Sequence, residues 1–530
     1  LQSQKVVATP KHFVANFVGD GGRDSYAIHF SERLLREIYF PAFKSAIQKG
    51  GALSIMAAYN SVDGIPCSCH RWLLTEILRK EWGFKGFVVS DYESVKMIHT
   101  HHRVVSSPGE AAKKAVEAGL DVELPSIDCF RELATFLREG KVKEEVIDEA
   151  VRKVLRVKEW LGLFDNPYVD PDYAERITNC ETHRRLALRA AEESIILLKN
   201  DGILPLSKEI GKMAVIGPNA HEVRLGGYST FGIKAITPLE GIKAKLKNKE
   251  IYFAEGCKIT GSSRKGFGEA KRVAKRADVA ILFMGNSEET EGENKDRCNL
   301  ALPGVQEDLI LEICNVGTPV IVVLINGSAI TMEKWIDKVN AILEAWYPGE
   351  EGGNAIANVL FGDYNPSGKL PITFPRFTGQ LPLYYNPKPT GRRYDYVDLR
   401  GAQELFPFGY GLSYTKFRYL NLRIIPERIN PTQNVKVLVE VENIGRYDGE
   451  EVVQLYLRDC VSSLATPIKQ LKKFRKISLK AGERKRVEFV LGFEDLSFLD
   501  ENFEPIVEPG EFEIMVGGLK GRLEVKEGKR

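Results

Sequence analysis

The chain has 530 residues, enough for three or four domains at roughly 150 residues each. Hydrophobic residues make up 43% and charged residues 28%, the balance of a globular protein with a sizeable core. Its 74 basic and 72 acidic residues leave a net charge of +2, which argues against nucleic acid or an anionic membrane as main partner, since both demand a basic surplus. No apolar run reaches the ~18 residues of a membrane span, and no secretory leader is read at the start. Eight cysteines (Cys67, Cys69, Cys129, Cys180, Cys257, Cys298, Cys314 and Cys460) are thinly spread, so reduced thiols and a cytoplasmic location are expected.

The first stretch alternates strands and helices. Val6–Ala8 reads as a strand, Ser31–Lys49 as a helix with Ser31 as its N-cap, and Leu53–Tyr59 as an apolar strand. Arg71–Glu81 follows as a helix, Phe87–Ser90 as a strand ending at Asp91, Pro108–Ala118 as a helix and Leu120–Leu124 as a strand. Four strands with intervening helices predict a parallel sheet. Helices over Lys141–Leu163 and near Glu181–Asn200 close this part.

A second α/β block opens at Met213. Its strands are Met213–Ile216, Val279–Met284, Val320–Ile325 and Ala341–Glu344, with helices over Gly268–Arg276, Val305–Val316 and Gly352–Leu360. Gly- and Pro-rich sequence runs from Gly362 to Tyr414. From about Phe417 short alternating segments take over (Val435–Glu442, Glu451–Leu457, Lys485–Leu491, Phe512–Val516), which predicts a small antiparallel sandwich.

Polar residues cluster where the strands of the first block end: Lys11 and His12 after one, Tyr59 and Asn60 after another, Asp91 and Tyr92 after a third. Reactive groups at strand C-termini are what a (β/α) barrel site requires. In the second block the acidic run Glu288–Glu293 leaves the Val279–Met284 strand at its C-terminal end and leads to Asp296-Arg297 and Leu302-Pro303. Two weaker signals read as structure. Cys67-Ser-Cys69-His70 lacks the second ligand pair of a zinc site and reads as a turn after Pro66, and His99-Thr-His101-His102 reads as a loop. Gly266-Phe-Gly268 has no strand before it and is not a nucleotide fingerprint.

Seven ordered stretches resemble glycoside hydrolase family 3. They are Ala8-Thr-Pro-Lys-His-Phe13, Met56-Ala-Ala-Tyr-Asn60, Gly86-Phe-Val-Val-Ser-Asp91, Gly119-Leu-Asp-Val-Glu-Leu-Pro125, Asp296-Arg297 with Leu302-Pro-Gly-Val-Gln306, Asn365-Pro-Ser-Gly-Lys-Leu-Pro371, and Phe408-Gly-Tyr-Gly-Leu-Ser-Tyr-Thr-Lys-Phe417. The resemblance implies a multidomain α/β plus all-β protein. Residues 1–165 would be the C-terminal half of a (β/α)8 TIM-like barrel, 166–210 a linker, 211–375 an α/β sandwich domain, 376–416 a connecting segment and 417–530 a fibronectin type III-like β-sandwich.

By position the resemblance makes Asp91 the nucleophile of a retaining exo-β-glycosidase, and Lys11, His12, Met56, Tyr59 and Tyr92 substrate-binding residues. A retaining enzyme needs a second carboxyl as acid/base. Counting forward from Gly285 favours Glu291; counting back from Asp296-Arg297 favours Glu293; Glu291 is preferred. Terminal β-linked xylose or glucose is the implied substrate, in oligosaccharides or aryl β-glycosides. Ser90-Asp-Tyr92 leans toward β-xylosidases, and no metal or organic cofactor is implied. The Lys11-His-Phe-Val-Ala-Asn16 stretch departs from the β-N-acetylhexosaminidase branch of the family. Family members start with a complete barrel, so either this chain is a fragment or an N-terminal half-barrel on a separate chain is its partner, and residues 1–530 alone are expected to lack activity. A homo-oligomer is compatible with this reading. The alternative is an inactive or partner-dependent fragment acting as a sugar-binding or interaction module.

Overall fold

The computed structural model describes residues 6–527 except 230–231, 247–248, 390, 393–394 and 402–403, so part of the expected connecting segment lies outside the described residues. The chain divides into two compact units, one running to Asp172 and the other starting at Tyr173.

In the first unit Ser31 caps helix α1, its Oγ accepting the Leu34 amide at 3.2 Å. The helix begins as Glu32–Leu34, widens to i→i+5 turns over Leu35–Tyr39 and returns to α geometry over Phe40–Gln48. Strand β1 (Ser54–Met56) follows, then α2 (Trp72–Glu81), also wound i→i+5, and β2 (Phe87–Tyr92). Helices α3 (Ser94–Thr100) and α4 (Pro108–Ala118), β3 (Val122–Leu124) and α5 (Glu144–Trp160) complete the series. The α4 boundaries follow local chemistry. Ser107 Oγ accepts the Glu110 amide, Pro108 occupies the first turn, and Gly119 ends the helix at φ 108°, a left-handed conformation that favours glycine.

The strands are parallel in the order β1-β2-β3. Pro10–Phe13 lies along the open side of β1, with Phe13 N–H donating to Met56 O at 2.8 Å and Met56 N–H to Pro10 O at 3.1 Å. The expected strand at Val6–Ala8 therefore pairs a few residues later. Burial decides this, because Phe13 and Val14 are fully buried whereas Val6 is 55% exposed. Asp121 ties the layers together. Its carboxylate is buried and accepts Arg79 Nη2 from α2 at 2.5 Å, Lys153 Nζ from α5 at 3.0 Å and the Val88 amide of β2 at 2.7 Å.

In the second unit helix α6 (Glu181–Ser194) runs directly into strand β4 (Ile196–Asn200). This corrects the reading of one helix to Asn200: Ile196, Leu197 and Leu198 are all buried, on both faces of a sheet, which no surface helix allows. Then come β5 (Lys212–Ile216), α7 (Pro238–Lys245), β6 (Glu250–Ala254), α8 (Phe267–Lys275), β7 (Val279–Gly285), α9 (Gln306–Cys314), β8 (Val320–Ile325), β9 (Ala341–Glu344) and α10 (Gly352–Leu360). The sheet order is β4-β9-β8-β7-β5-β6, parallel except for β4 against β9. Both faces are covered. Val320, Val322 and Leu324 pack into one core, and Ile321, Val323 and Ile325 into the other, so β8 reads as an unbroken apolar run. Helices α7 and α10 touch backbone to backbone. A Cβ on Gly241 would lie 2.1 Å from Gly353 O, and one on Gly353 2.1 Å from Thr237 O.

The tail of this unit is a two-sheet sandwich. One sheet is β10 (Phe417–Ile425), β11 (Val435–Asn443) and β14 (Arg484–Leu491); the other joins β12 (Gly449–Asp459), β13 (Gln470–Leu479), β15 (Gly510–Val516) and β16 (Leu519–Val525), with Arg428–Ile429 at its edge. Along β11 Val435, Val437, Val439 and Val441 are fully buried, the period-two pattern of a half-buried strand. Asn365 staples the sandwich to the α/β block. Its Oδ1 accepts Ser413 Oγ and the Tyr414 amide, both at 2.8 Å, and its Nδ2 donates to Asp448 O at 2.9 Å.

Candidate active site

In the first unit the reactive side chains lie at the C-terminal ends of the parallel strands. Asp91 is 7% exposed near the end of β2. The Tyr92 amide donates to its Oδ1 at 2.7 Å, whereas its buried Oδ2 has no hydrogen bond among the described residues and faces His12 Nε2 at 3.3 Å. Ser90 fixes the strand beneath it, its Oγ accepting the Leu124 amide of β3 at 2.8 Å and donating to Asp91 O at 2.7 Å. The chain then turns sharply at Glu93, in left-handed conformation at φ 61°, and enters α3.

The structure thus brings His12 and Asp91 into contact. Met56 and Tyr59, both half-buried, sit at the end of neighbouring β1. Tyr59 is held by its backbone: its N–H donates to Asn16 Oδ1 at 3.3 Å and its carbonyl faces His102 Nε2 at 2.9 Å. Lys11 and Tyr92 are exposed. Asn16 and His102 were missed as supports, since neither carries a spacing signal. His99, read as part of a loop, lies in the last turn of α3, and burial lowers the pKa of His102. Cys67 and Cys69 lie in one tight helical turn, where burial pushes their thiols up to about 12 and about 11.

In the second unit polar groups gather at the C-terminal ends of β5, β7, β8 and β9. Strand order reverses between β5 and β7, and loops diverging from such a point leave a crevice for ligands. Arg224, in the loop after β5, donates to Asn219 Oδ1 at 2.9 Å and pairs with Glu288 of the loop after β7 at 3.3 Å. Buried Gln306 holds the end of β7, accepting the Gly285 amide at 2.9 Å and donating to its carbonyl at 2.8 Å.

The two candidate acid/base residues differ sharply. The Glu291 side chain is 10% exposed. Its Oε1 accepts Asn286 Nδ2 at 2.9 Å and Ser328 Oγ; its Oε2 accepts the Gly327 amide and Tyr347 OH, the last at 2.9 Å. Arg297 lies 3.8 Å away. Glu293 is exposed, and its partner is the hydroxyl of Tyr228, itself 86% exposed. Tyr228 is a further residue missed by sequence reasoning, because the loop after β5 carries no acidic or repeated pattern. Among the described residues no helix is long and apolar enough to cross a membrane.

Comparisons with known proteins agree with this architecture. Residues 1–157 match the glycosyl hydrolase family 3 N terminal domain, 195–414 the glycosyl hydrolase family 3 C-terminal domain and 451–519 a fibronectin type III-like domain. The N-terminal domain is thus itself found, and the match lends no support to an absent barrel half or to a separate chain carrying one. A β-xylosidase of Formosa agariphila is 42% identical over 97% of this chain and 74% of its own length. A periplasmic β-glucosidase of Salmonella typhimurium is 38% identical over 99% of this chain and 73% of its own. Among solved structures, a β-glucosidase from Erythrobacter marinus superposes with a TM-score of 0.94 at 38% identity, covering 98% of this chain and 74% of that one. The β-glucosidase of Listeria innocua in complex with glucose gives 0.93 at 34% identity, covering 98% and 74%. The chain is a glycoside hydrolase and belongs to glycoside hydrolase family 3.

Proposed function

We propose that the chain is a retaining exo-β-glycosidase that removes terminal β-linked xylose or glucose from the non-reducing ends of oligosaccharides. The observation that carries this reading is the Asp91 carboxylate, buried at a strand end with one oxygen fixed by the Tyr92 amide and the other free of hydrogen bonds beside His12. A nucleophile needs an oriented, uncommitted lone pair, and attack at the anomeric carbon forms a covalent glycosyl-enzyme that divides one hard step into two easier ones.

Counting prefers Glu291, whereas the surroundings of the two glutamates support Glu293. A carboxylate has about four lone-pair sites. Glu291 fills four with Asn286, Ser328, Gly327 and Tyr347, leaving none for a glycosidic oxygen or a water. A general acid must reach the oxygen it protonates. Glu293, exposed and bonded among the described residues to the Tyr228 phenol, meets that requirement and is assigned the acid/base role.

A slow-reacting 2-deoxy-2-fluoro β-glycoside with a good leaving group tests the nucleophile. Peptide mapping should place the trapped sugar on Asp91, and a label elsewhere sinks the assignment. Azide tests the acid/base residue: it should restore turnover to Glu293→Gly with release of a β-glycosyl azide. Xylose, glucose and arabinose differ by single substituents, so a panel of aryl β-xyloside, β-glucoside and α-arabinoside fixes the specificity.

A further inference from the structure

We infer that Glu291 is a positioning residue: it clamps the loop after β7 to the ends of β8 and β9, so that Glu293, two residues on, is presented to the leaving-group oxygen. The inference rests on the assignment of Glu293 as acid/base.

Three strand ends converge on one carboxylate. Asn286 is the first residue after β7, Gly327 and Ser328 follow β8, and Tyr347 follows β9. These partners are themselves fixed from below. Glu344, fully buried at the end of β9, accepts the Trp346 amide at 3.0 Å and Asn326 Nδ2 at 3.3 and 3.2 Å. The same Asn326 Nδ2 donates to Ser328 O at 2.8 Å. Trp346 is left-handed at φ 54°, a turn that carries the chain on to Tyr347. The donors facing Glu291 thus rest on a hydrogen-bonded pair, Asn326 and Glu344, that is fully buried.

The loop is built to use that frame. The Glu291 amide donates to Ser287 O at 3.0 Å, and Thr290 Oγ1 to Asn286 Oδ1 at 3.1 Å, closing a tight turn before the anchor. Arg297 Nη1 holds Asn286 Oδ1 at 3.1 Å from the far end of the loop. Between anchor and acid stands Gly292 at φ 138°, a conformation open to glycine and strained for other residues. There the chain leaves the protein interior and Glu293 emerges. An acid displaced by about 1 Å loses much of its effect, so the anchor sets rate without touching substrate.

Leaving-group dependence tests the inference on the full chain. A 2,4-dinitrophenyl glycoside departs without protonation, whereas a phenyl glycoside needs the acid. Glu291→Ala should lower kcat/KM for the phenyl substrate by about 30- to 100-fold, within the ~10²–10⁴-fold worth of a general acid. It should change the dinitrophenyl value less than about threefold. Glu291→Gln, which keeps one acceptor oxygen, should recover part of the loss, and Tyr347→Phe should show a smaller loss of the same kind. Independently of turnover, hydrogen exchange in Glu291→Ala should accelerate over residues 287–297 and stay unchanged in β8 and β9. Equal losses on both substrates, or unchanged exchange in the loop, overturn the inference. Azide rescue of Glu291→Gly with formation of a glycosyl azide would instead overturn the assignment of Glu293 on which it rests.

Discussion

Glu291 and Glu293 are two residues apart, yet the first has all four acceptor positions filled and the second stands in solvent against a single phenol. Gly292 makes that contrast possible, and a Cβ there would meet no atom within 4 Å. Gly292→Ala therefore isolates backbone strain of about 1–3 kcal/mol. Turnover of phenyl glycosides should fall at least tenfold, while the melting temperature drops by no more than a few degrees, read by steady-state kinetics and calorimetry.

The contact between His12 and Asp91 has its own signature. A polar group about 3–4 Å from a carboxylate, without a hydrogen bond, is worth about 1–2 kcal/mol, or roughly 5- to 30-fold in rate if it serves the transition state. His12→Ala should cost that much in kcat/KM, and Asp91→Asn should abolish turnover. Neither substitution should alter the far-UV circular dichroism.

Asp121 carries stability rather than catalysis. Removing it leaves Arg79 and Lys153, whose side chains are only 14% and 11% exposed, without their shared counter-charge. Breaking a buried pair in this way costs about 3–5 kcal/mol. Asp121→Ala should shift the urea midpoint of the first unit accordingly, and an unchanged midpoint would show that the two cations find other partners.

Close packing of α7 on α10 allows no side chain at the crossing. Gly241→Ala or Gly353→Ala forces the helices apart and should destabilise the second unit by about 1–3 kcal/mol or more. The double variant should cost less than the sum, because one displacement accommodates both methyl groups.

Asp459, at the end of β12, has a buried oxygen without a hydrogen bond, and burial raises its pKa to about 6 from an ordinary 3.8. A carboxyl whose folded-state pKa is raised contributes stability that is full below about 4 and lost as pH rises through about 6. Asp459→Asn should therefore stabilise the fold near pH 7, by about 1 kcal/mol after allowance for solvent screening, and by almost nothing near pH 4. Denaturation midpoints of both proteins from pH 4 to 8 check the crossover.

Elements buried on both faces were legible. Val320–Ile325 is an unbroken apolar run whose strand ends where the run ends, and Ala341–Leu343 is an apolar run closed by buried Glu344. Pro108–Ala118 reads from the sequence with the bounds the structure gives, where Ser107 and Gly119 cap it. Strand β6 escaped because Glu250–Ala254 is a half-exposed edge, and β4 because Ile196 follows a helix with no Gly, Pro or Asn between them. The buried position of Asp91 near a strand end was legible because an apolar strand delivers it. The different surroundings of Glu291 and Glu293 were not, since they depend on what Ser328 and Tyr347, distant in sequence, place around one of them.

Strand β4 has a consequence for how the chain is made. It leaves the ribosome before any other strand of its sheet, yet its hydrogen-bonding neighbour β9 is the last of the six to be synthesised. Until β9 arrives, Ile196, Leu197 and Leu198 have no sheet to join. The parallel strands can nucleate among themselves, but this early segment must wait in an unpaired state, where it is exposed to misassociation. Truncation before Ala341 should therefore yield an aggregating product rather than a smaller folded one.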